Sequence, residues 1–495
     1  PQSAWPTLGF ALQQAAILGG GNIWVSAGTY AEGGLVVPPD VRIYAGFDGD
    51  CDLTTFDPNV HEAVVMGSGP SPVMTLNQST DDTAVLVGLH INGGGTAEAC
   101  VEVNQRACQL LRVSGSDGVR GFKLRSNLIV EKVGIQLVDC TLSGCQVGGI
   151  SIDGAFDLFA NHCAFTNNLQ EGITADDLLA LGSKVSTLSI SNCLFEGNGS
   201  EGLDVDLVAY PSLSTGGWQI LLTNNEFIRN RLDGCLIDCD YETSPGWIAQ
   251  IEIQGCVARA NGSAGFHLDL DAQSSALLHR CRSSNNGTDG FLVTSETAPG
   301  MATASACAFL GNQAMGVRSS LGNVGVVLSH CVLSGNAQGG FASTSNRGSV
   351  ASSVAFLQTD AWQNVETTHV HDQATFDPEL FLSAPSGWAQ TIGMFGEQIR
   401  LEGGITLNPG DTVEFEGDGV SRNVIGQVGN VLDLSPRPEA MRFPGQLALW
   451  PGPNVDTDWT PGPLSPLYEA GLGPLGGPFP HAGPAGAIVN GAPGS

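Results

Sequence analysis

The sequence predicts an all-β solenoid, in which short strands wind into coils that stack on one another. Three observations predict it. A cysteine, an asparagine and a glycine recur in a fixed order, and successive copies start 23 to 32 residues apart, the spacing of repeat proteins. Each copy holds only short runs of alternating apolar and polar residues, such as "GLDVDL" and "GFHLDL", which is the period of a strand with one buried face. No copy has room for a helix of ten residues as well. At 495 residues with 67 glycines and 14% charged residues, the chain is too long for one compact core and has the wrong composition for a helical bundle.

The elements follow in chain order. "WPTLGFALQQAAILGGGNIWVSAGTY" reads as a capping helix and a first strand, within a cap over residues 1–30. "LGGGN", Leu18 to Asn22, is a helix stop and not a nucleotide loop. "LVVPPDVRIYAGFDG" opens the coils, which are expected over 31–375. The repeat is plainest from Cys140. A glycine stands nine residues after a cysteine at Cys140/Gly149, Cys163/Gly172, Cys193/Gly202, Cys256/Gly265, Cys281/Gly290, Cys307/Gly316 and Cys331/Gly340. One copy has Asn225 in the cysteine place, before Gly234. Five residues after each start stands Asn168, Asn198, Asn230, Asn261, Asn286, Asn312 or Asn336, with Cys145 in the first copy.

Stacked coils turn these columns into ladders, because parallel strands repeat at about 4.8 Å. The asparagine amides are expected to bond to one another at a turn, and the glycines to supply a backbone conformation that other residues resist. The Asn-Gly-Ser/Thr triplets at Asn198, Asn261 and Asn286 are therefore ladder members rather than glycosylation acceptors. The cysteines are read as inward, small, apolar side chains. In-register Cβ atoms stay about 4.8 Å apart, beyond the roughly 3.5–4.5 Å of a disulfide, which favours free thiols. Cys51, Cys100 and Cys108 lie outside this ladder, and their pairing is left open.

Thirteen residues after the coil start come Asp153, Asp176, Asp206, Asp238 and Asp269, and then Thr294. In "GLDVDL" and "GFHLDLD" the apolar residues alternate with the acids, so the acids face outward. Asp204, Asp240, Asp271 and His267 flank them on the same face. Carboxylates stacked at about 5 Å repel by close to 1 kcal/mol per neighbour even at water-like dielectric. Hard oxygen ligands in a cluster suit Ca2+, so the candidate metal ligands are Asp153, Asp176, Asp204, Asp206, Asp238, Asp240, Asp269 and Asp271. A solvated acidic face that keeps the solenoid soluble is the plainer alternative. A catalytic alternative is that repulsion raises the pKa of one or more members of the column, which suits general acid work.

The N-terminal helix, the "GTY" turn and the coil repeat together resemble the right-handed parallel β-helix of the pectate-lyase-like superfamily, including its secreted bacterial members. The resemblance covers roughly residues 3–375. It implies a right-handed parallel β-helix with an active groove on an outward strand face. Asp206, Asp238 and Asp269 with His267 also resemble, loosely, the acidic sites of polygalacturonase-type hydrolases, which implies catalytic roles for these four residues. The Asn-Thr-Asp, Gly-His-Gly and Arg-Ile-Lys motifs of those enzymes are absent from the chain. For a Ca2+-dependent lyase the resemblance implies a basic residue beside the site, and Lys184 is the nearest lysine.

After about Thr368 the repeat fades. "GEQIRLEGGITLNPGDTVEFEGDG" and "GQLALW" give strands and turns of a small β domain over 376–450, and 451–495 is a Pro/Gly-rich tail. His369 and His371 in "THVHD" alternate along one strand but form no metal motif by themselves. The chain begins with Pro, which reads as an N-terminus left by processing. A formal net charge of -30 excludes nucleic acid and anionic membrane surfaces as partners. No run is apolar and long enough to span a bilayer. The functions consistent with these features are a secreted or surface-exposed structural or adhesive protein that assembles with its own copies, or a polysaccharide-active enzyme or Ca2+-dependent carbohydrate-binding protein using the aspartate column. Tyr210, Trp218, Tyr241 and Trp247 follow that column in the chain. Trp218 and Trp247 are expected to open the next buried strand instead of stacking on sugars.

Overall fold

The computed structural model describes residues 5–371, apart from loop segments of one to nine residues, and the strand segments between 387 and 450. The chain forms a right-handed parallel β-helix built of three sheets. Sheet 1 has 14 strands, from Gly21–Ser26 to Thr368–His371. Sheet 2 has 13, from Gly28–Ala31 to Ala355–Leu357, and sheet 3 has 13, from Leu35–Val37 to Trp362–Asn364. Each coil gives one strand to each sheet in turn. Parallel strands linked in this way wind right-handed because of the twist of L-residue strands.

The cap is the helix Leu8–Leu18. The Thr7 side chain accepts from Phe10 N–H, and Gly19 ends the helix in the left-handed region at φ 80°, as the "LGGGN" sequence predicts. Leu8, Ala11, Leu12 and Ala15 form its buried stripe. The Glu32 carboxylate accepts from the N–H groups of Leu8 and Gly9, both at 2.7 Å. It thereby satisfies two of the helix's four orphan donors and ties the helix to the first coil.

Two residues per coil turn the corners on either side of sheet 2. They are the residue before the cysteine and the residue before the asparagine, for example Asn192 (φ 54°) and Gly197 (φ 66°), or Asn224 (φ 54°) and Arg229 (φ 54°). The cysteine and asparagine columns sit just inside these corners, where backbone groups would otherwise face the core unpaired. The Asn230 side chain accepts from the N–H and the amide of Asn198, and donates to Phe195 O and to Asn261 Oδ1. The cysteines do the same work with sulfur. Cys193 Sγ accepts from Cys163 N–H and donates to Ser191 O. Asn225, in the cysteine place, accepts from Cys193 N–H at 2.9 Å and donates to Ile190 O at 2.8 Å. The column is thus a hydrogen-bonding corner and not simply a strip of small apolar groups. That is why an amide replaces a thiol there.

All twelve described cysteines are free and buried, Cys100 and Cys108 among them, and Cys51 lies outside the described residues. Burial pushes the thiols of Cys108 and Cys256 up to about 12 and that of Cys145 to about 11, so these three stay protonated. Asn198, Asn261 and Asn286 are 2% exposed or less, which withholds them from glycosylation. Phe165, Phe195 and Phe227 stack along the core with ring centroids 4.9 Å apart. Trp218 is buried at the start of its sheet 1 strand, Trp218–Thr223.

The glycine column has a different cause from the one expected. Gly172, Gly202 and Gly234 have no positive φ. A Cβ on any of them would instead stand 2.4–2.5 Å from the carbonyl oxygen of the same glycine in the next coil. Glycine is needed here for close approach between coils, not for its torsional freedom.

At the C-terminal end six strands, Gly387–Phe395, Gln398–Leu401, Thr412–Phe415, Arg422–Val428, Val431–Ser435 and Leu447–Trp450, close into a small antiparallel barrel. The Pro/Gly-rich tail and the loop residues Lys184, Tyr210, Tyr241 and Trp247 lie outside the described residues.

Candidate functional site

The outward face of sheet 3 carries two rows of side chains. In the first, Asp153 lies opposite Asp176, and Asp206, Asp238, Asp269 and Thr294 follow one another in register. Between these two runs the ladder is broken. Asp176 and Asp177 together oppose the single Asp206, because the strand Ile173–Leu179 bulges after Ala175. The side chains of Asp176, Asp240 and Asp271 lie outside the described residues.

The second row stands two residues after the glycine column. It runs Lys123, Ser151, Thr174, Asp204, Leu236, His267, Leu292 and Arg318. Lys123 and Arg125 share this face, and Arg125 lies opposite Asp153. The acidic column therefore has cations before it as well as after it. The sequence pattern hid them because their coil has Val113 in place of the corner cysteine and was not aligned with the repeat.

A further set of acids lies immediately before the glycines: Glu171, Glu201, Asp233 and Asp289. Their pairing shows a rule. Asp233 Oδ2 is 3.1 Å from Nδ1 of His267 in the next coil, and its Oδ1 accepts from Ala264 N–H. Asp289 Oδ1 is 3.1 Å from Nε of Arg318 in the next coil and accepts from Met315 N–H. The acid before one glycine thus meets the residue two places after the next glycine. By the same rule Glu171 meets Asp204. There a carboxylate stands at the place of His267 and Arg318 in the later coils, and Glu201 joins them. The ligand oxygens of Glu171, Glu201 and Asp204 all lie within 4.8 Å of one another. Two oxygens on opposite sides of one Ca2+ are separated by roughly 4.8 Å, twice the Ca–O distance. The three carboxylates fit that ion. Of the aspartates proposed from sequence as ligands, Asp204 belongs to this cluster, whereas Asp206, Asp238 and Asp269 line the row beside it and Asp153 lies exposed on a preceding coil. Glu171 and Glu201 were missed, although an acid directly before the repeat glycine was a readable signal.

The candidate base His267 is half-buried and held at Nδ1 by Asp233, with Nε2 3.5 Å from Thr294 Oγ1. Burial pushes the Asp233 carboxyl up, but hydrogen bonds from His267, Ser263 and Ala264 N–H outweigh it and leave it below the ordinary value. Asp289 is the reverse: burial dominates and raises it despite Met315 N–H and Arg318. The signs differ accordingly. A depressed folded-state value adds stability above the unfolded pKa of about 3.9, lost as pH falls through the lower one. A raised value removes stability at neutral pH and returns it on acidification. The variant Asp233→Asn is therefore expected to lose stability relative to wild type at pH 7 and to lose the difference below about pH 4. Asp289→Asn should show the opposite dependence once its lost bond to Arg318 is allowed for. Urea titrations across pH check both, and parallel curves for the two variants would refute the assignment.

A family model described as "Right handed beta helix region" matches residues 186–355. No curated protein matches the sequence. Among solved structures, the chain is similar to the A-module of a mannuronan C-5 epimerase from Azotobacter vinelandii, at 12% identity and a TM-score of 0.43, over 74% of this chain and 95% of that one. It is similar to tailspike protein 3 of bacteriophage CBA120, at 13% identity and a TM-score of 0.46, over 75% of this chain and 58% of the tailspike. It is also similar to the catalytic unit of an α-1,3-glucanase from Streptomyces thermodiastaticus, at 12% identity and a TM-score of 0.40, over 75% and 68% of the two chains. These are likenesses of fold.

Proposed function

We propose that this protein is an extracellular or cell-surface structural and adhesive β-helix, whose acidic third-sheet face binds Ca2+ and through it joins further copies or an acidic glycan. The observation that carries the reading is the Glu171–Glu201–Asp204 cluster, three carboxylates whose ligand oxygens lie within 4.8 Å of one another. A divalent ion there offsets the repulsion of three close anions and leaves coordination positions for water or a partner's oxygen. The formal net charge of -30 supports cation attraction in general.

Calorimetry in rising CaCl2 tests it. Ca2+ bound to the folded state alone should add about 2.7 kcal/mol at a free concentration one hundred times Kd. Asp204→Asn with Glu201→Gln should remove that gain and keep the fold. Light scattering during the same titration reads self-assembly. A melting temperature indifferent to Ca2+ would overturn the reading.

The register of Asp206, Asp238 and Asp269 favours one second reading, a polysaccharide-active enzyme. Neighbouring members lie about 4.8 Å apart, near the spacing of a retaining carboxylate pair. Release of reducing or unsaturated ends from a glycan panel, stopped by Asp238→Asn, would establish it in place of the first.

A further inference from the structure

The outward face of sheet 2 changes character along the stack. In one of its two rows Ser116, Ser143, Thr166 and Glu196 are half-buried, as befits outward strand residues. The same row continues in register with Ile228, Arg259, Ser284 and Leu310, and all four are 6% exposed or less. In the other row Ala164 and Leu194 are half-buried and Glu226 is exposed, whereas Arg282 and Ala308 are buried. Burial begins two coils later in this second row, so its boundary crosses the face as a diagonal. Neighbours within a sheet cannot enclose an outward arginine. A cover lying across the face can.

The covered half is cationic. Among the described residues of these coils, the face and its two corners carry Arg229, Arg259, Arg280 and Arg282 against Glu196 and Glu226. Glu196 pairs with Arg229. Burial, and after it the neighbouring Arg259 charge, hold Arg229 below its ordinary value. In a chain of net charge -30, this is a local excess of positive charge. A cover must bring carboxylates to the guanidiniums and apolar groups to Ile228, Ala308 and Leu310, because it otherwise strands buried charges.

The C-terminal tail has that composition. Residues 451–495 contain no Lys or Arg, and Asp456, Asp458 and Glu469 stand among Trp459, Leu464, Leu467 and Tyr468. Prolines lack the N–H that strand pairing needs, so an extended Pro-rich stretch lies on a surface through its side chains. Residues two apart on such a stretch are separated by about 6 Å, near the coil repeat of about 4.8 Å. That spacing suits Asp456 and Asp458 to arginines of adjacent coils. The tail is tied only at Trp450, whereas the acidic stretch between His371 and Gly387 is tied at both ends. We infer that the tail docks on the covered half of sheet 2 of its own chain, with Asp456 and Asp458 on Arg259 and Arg282 and with Trp459 and the following leucines over Ile228, Ala308 and Leu310. This surface shares no residue with the Ca2+ cluster.

Phenylglyoxal modification of the full chain, read at each arginine by peptide mass spectrometry, tests the inference. Arg259 and Arg282 should react at least tenfold more slowly than the exposed Arg112 and Arg231. Asp456→Asn and Asp458→Asn combined with Trp459→Ala should raise both slow rates at least tenfold, and these changes alter no residue of the coils. Deletion of 451–495 should do the same. Asp377→Asn with Glu379→Gln, in the stretch tied at both ends, should leave both arginines slow. Four results would each overturn the inference: wild-type Arg259 and Arg282 as reactive as Arg231, protection that survives deletion of the tail, protection lost in the Asp377/Glu379 variant, or protection that weakens on dilution, which would place a second copy on the face.

Discussion

Replacing Asn230 by alanine should destabilise the β-helix by about 3–5 kcal/mol. The side chain is 1% exposed and links three coils. Its loss leaves the Asn198 N–H without its partner, takes one of two bonds from the Asn198 amide, which still donates to Phe165 O, and removes a donor from the carbonyl of Phe195. These are buried polar groups, and a buried group left unsatisfied costs about 1–3 kcal/mol. An aspartate would restore the acceptor but not the donor and would bury a charge, so it should do no better. Chemical denaturation gives the difference. A loss below about 1 kcal/mol would mean that the coils relax around the gap, and the ladder would then be a packing device only.

Arg106→Ala should cost a similar amount, about 3–5 kcal/mol, near the N-terminal end of the stack. The guanidinium is fully buried. It donates to Val37 O at 2.9 Å, to Pro38 O at 3.0 Å and to Asp82 Oδ2 at 2.5 Å. Asp82 Oδ2 in turn accepts from Asp40 N–H. One side chain therefore fastens the first four coils at the turn between sheets 3 and 1. Its removal takes the counter-charge from a buried carboxylate and strips two carbonyls of donors. A double-mutant cycle with Asp82→Asn should show strong coupling, because the second change removes the charge that the first exposes. Independent, additive effects would show that Arg106 acts through packing alone.

The two residues differ in how far the sequence revealed them. Asn230 stands in a column that repeats at a fixed offset, and its role follows from stacking equal offsets about 4.8 Å apart. Arg106 belongs to no column. Its carbonyl partners are 69 and 68 residues away and its carboxylate partner is 24 away, and those separations fall into contact only after the first coils are wound. The aspartates divide in the same way. The sequence placed Asp206, Asp238 and Asp269 at one offset, and their register in sheet 3 follows from it. It did not show the bulge at Asp176–Asp177, which separates them from Asp153.

By itself, the sequence determined the solenoid, the capping helix, the inward thiols, the asparagine ladder and the outward acids. All of these depend on periodicity, and a parallel stack converts a constant offset into a line of contacts. Only the tertiary structure decided which acids converge. Glu171, Glu201 and Asp204 lie at two offsets in two coils. They meet because the residue before one glycine faces the residue two places after the next. The same diagonal gave Asp233 its histidine and Asp289 its arginine. It also decided why the glycines are glycines, since the carbonyl that a Cβ would strike belongs to the neighbouring coil. Diagonal and between-coil contacts depend on lateral stagger and backbone separation, and no single coil's sequence carries either.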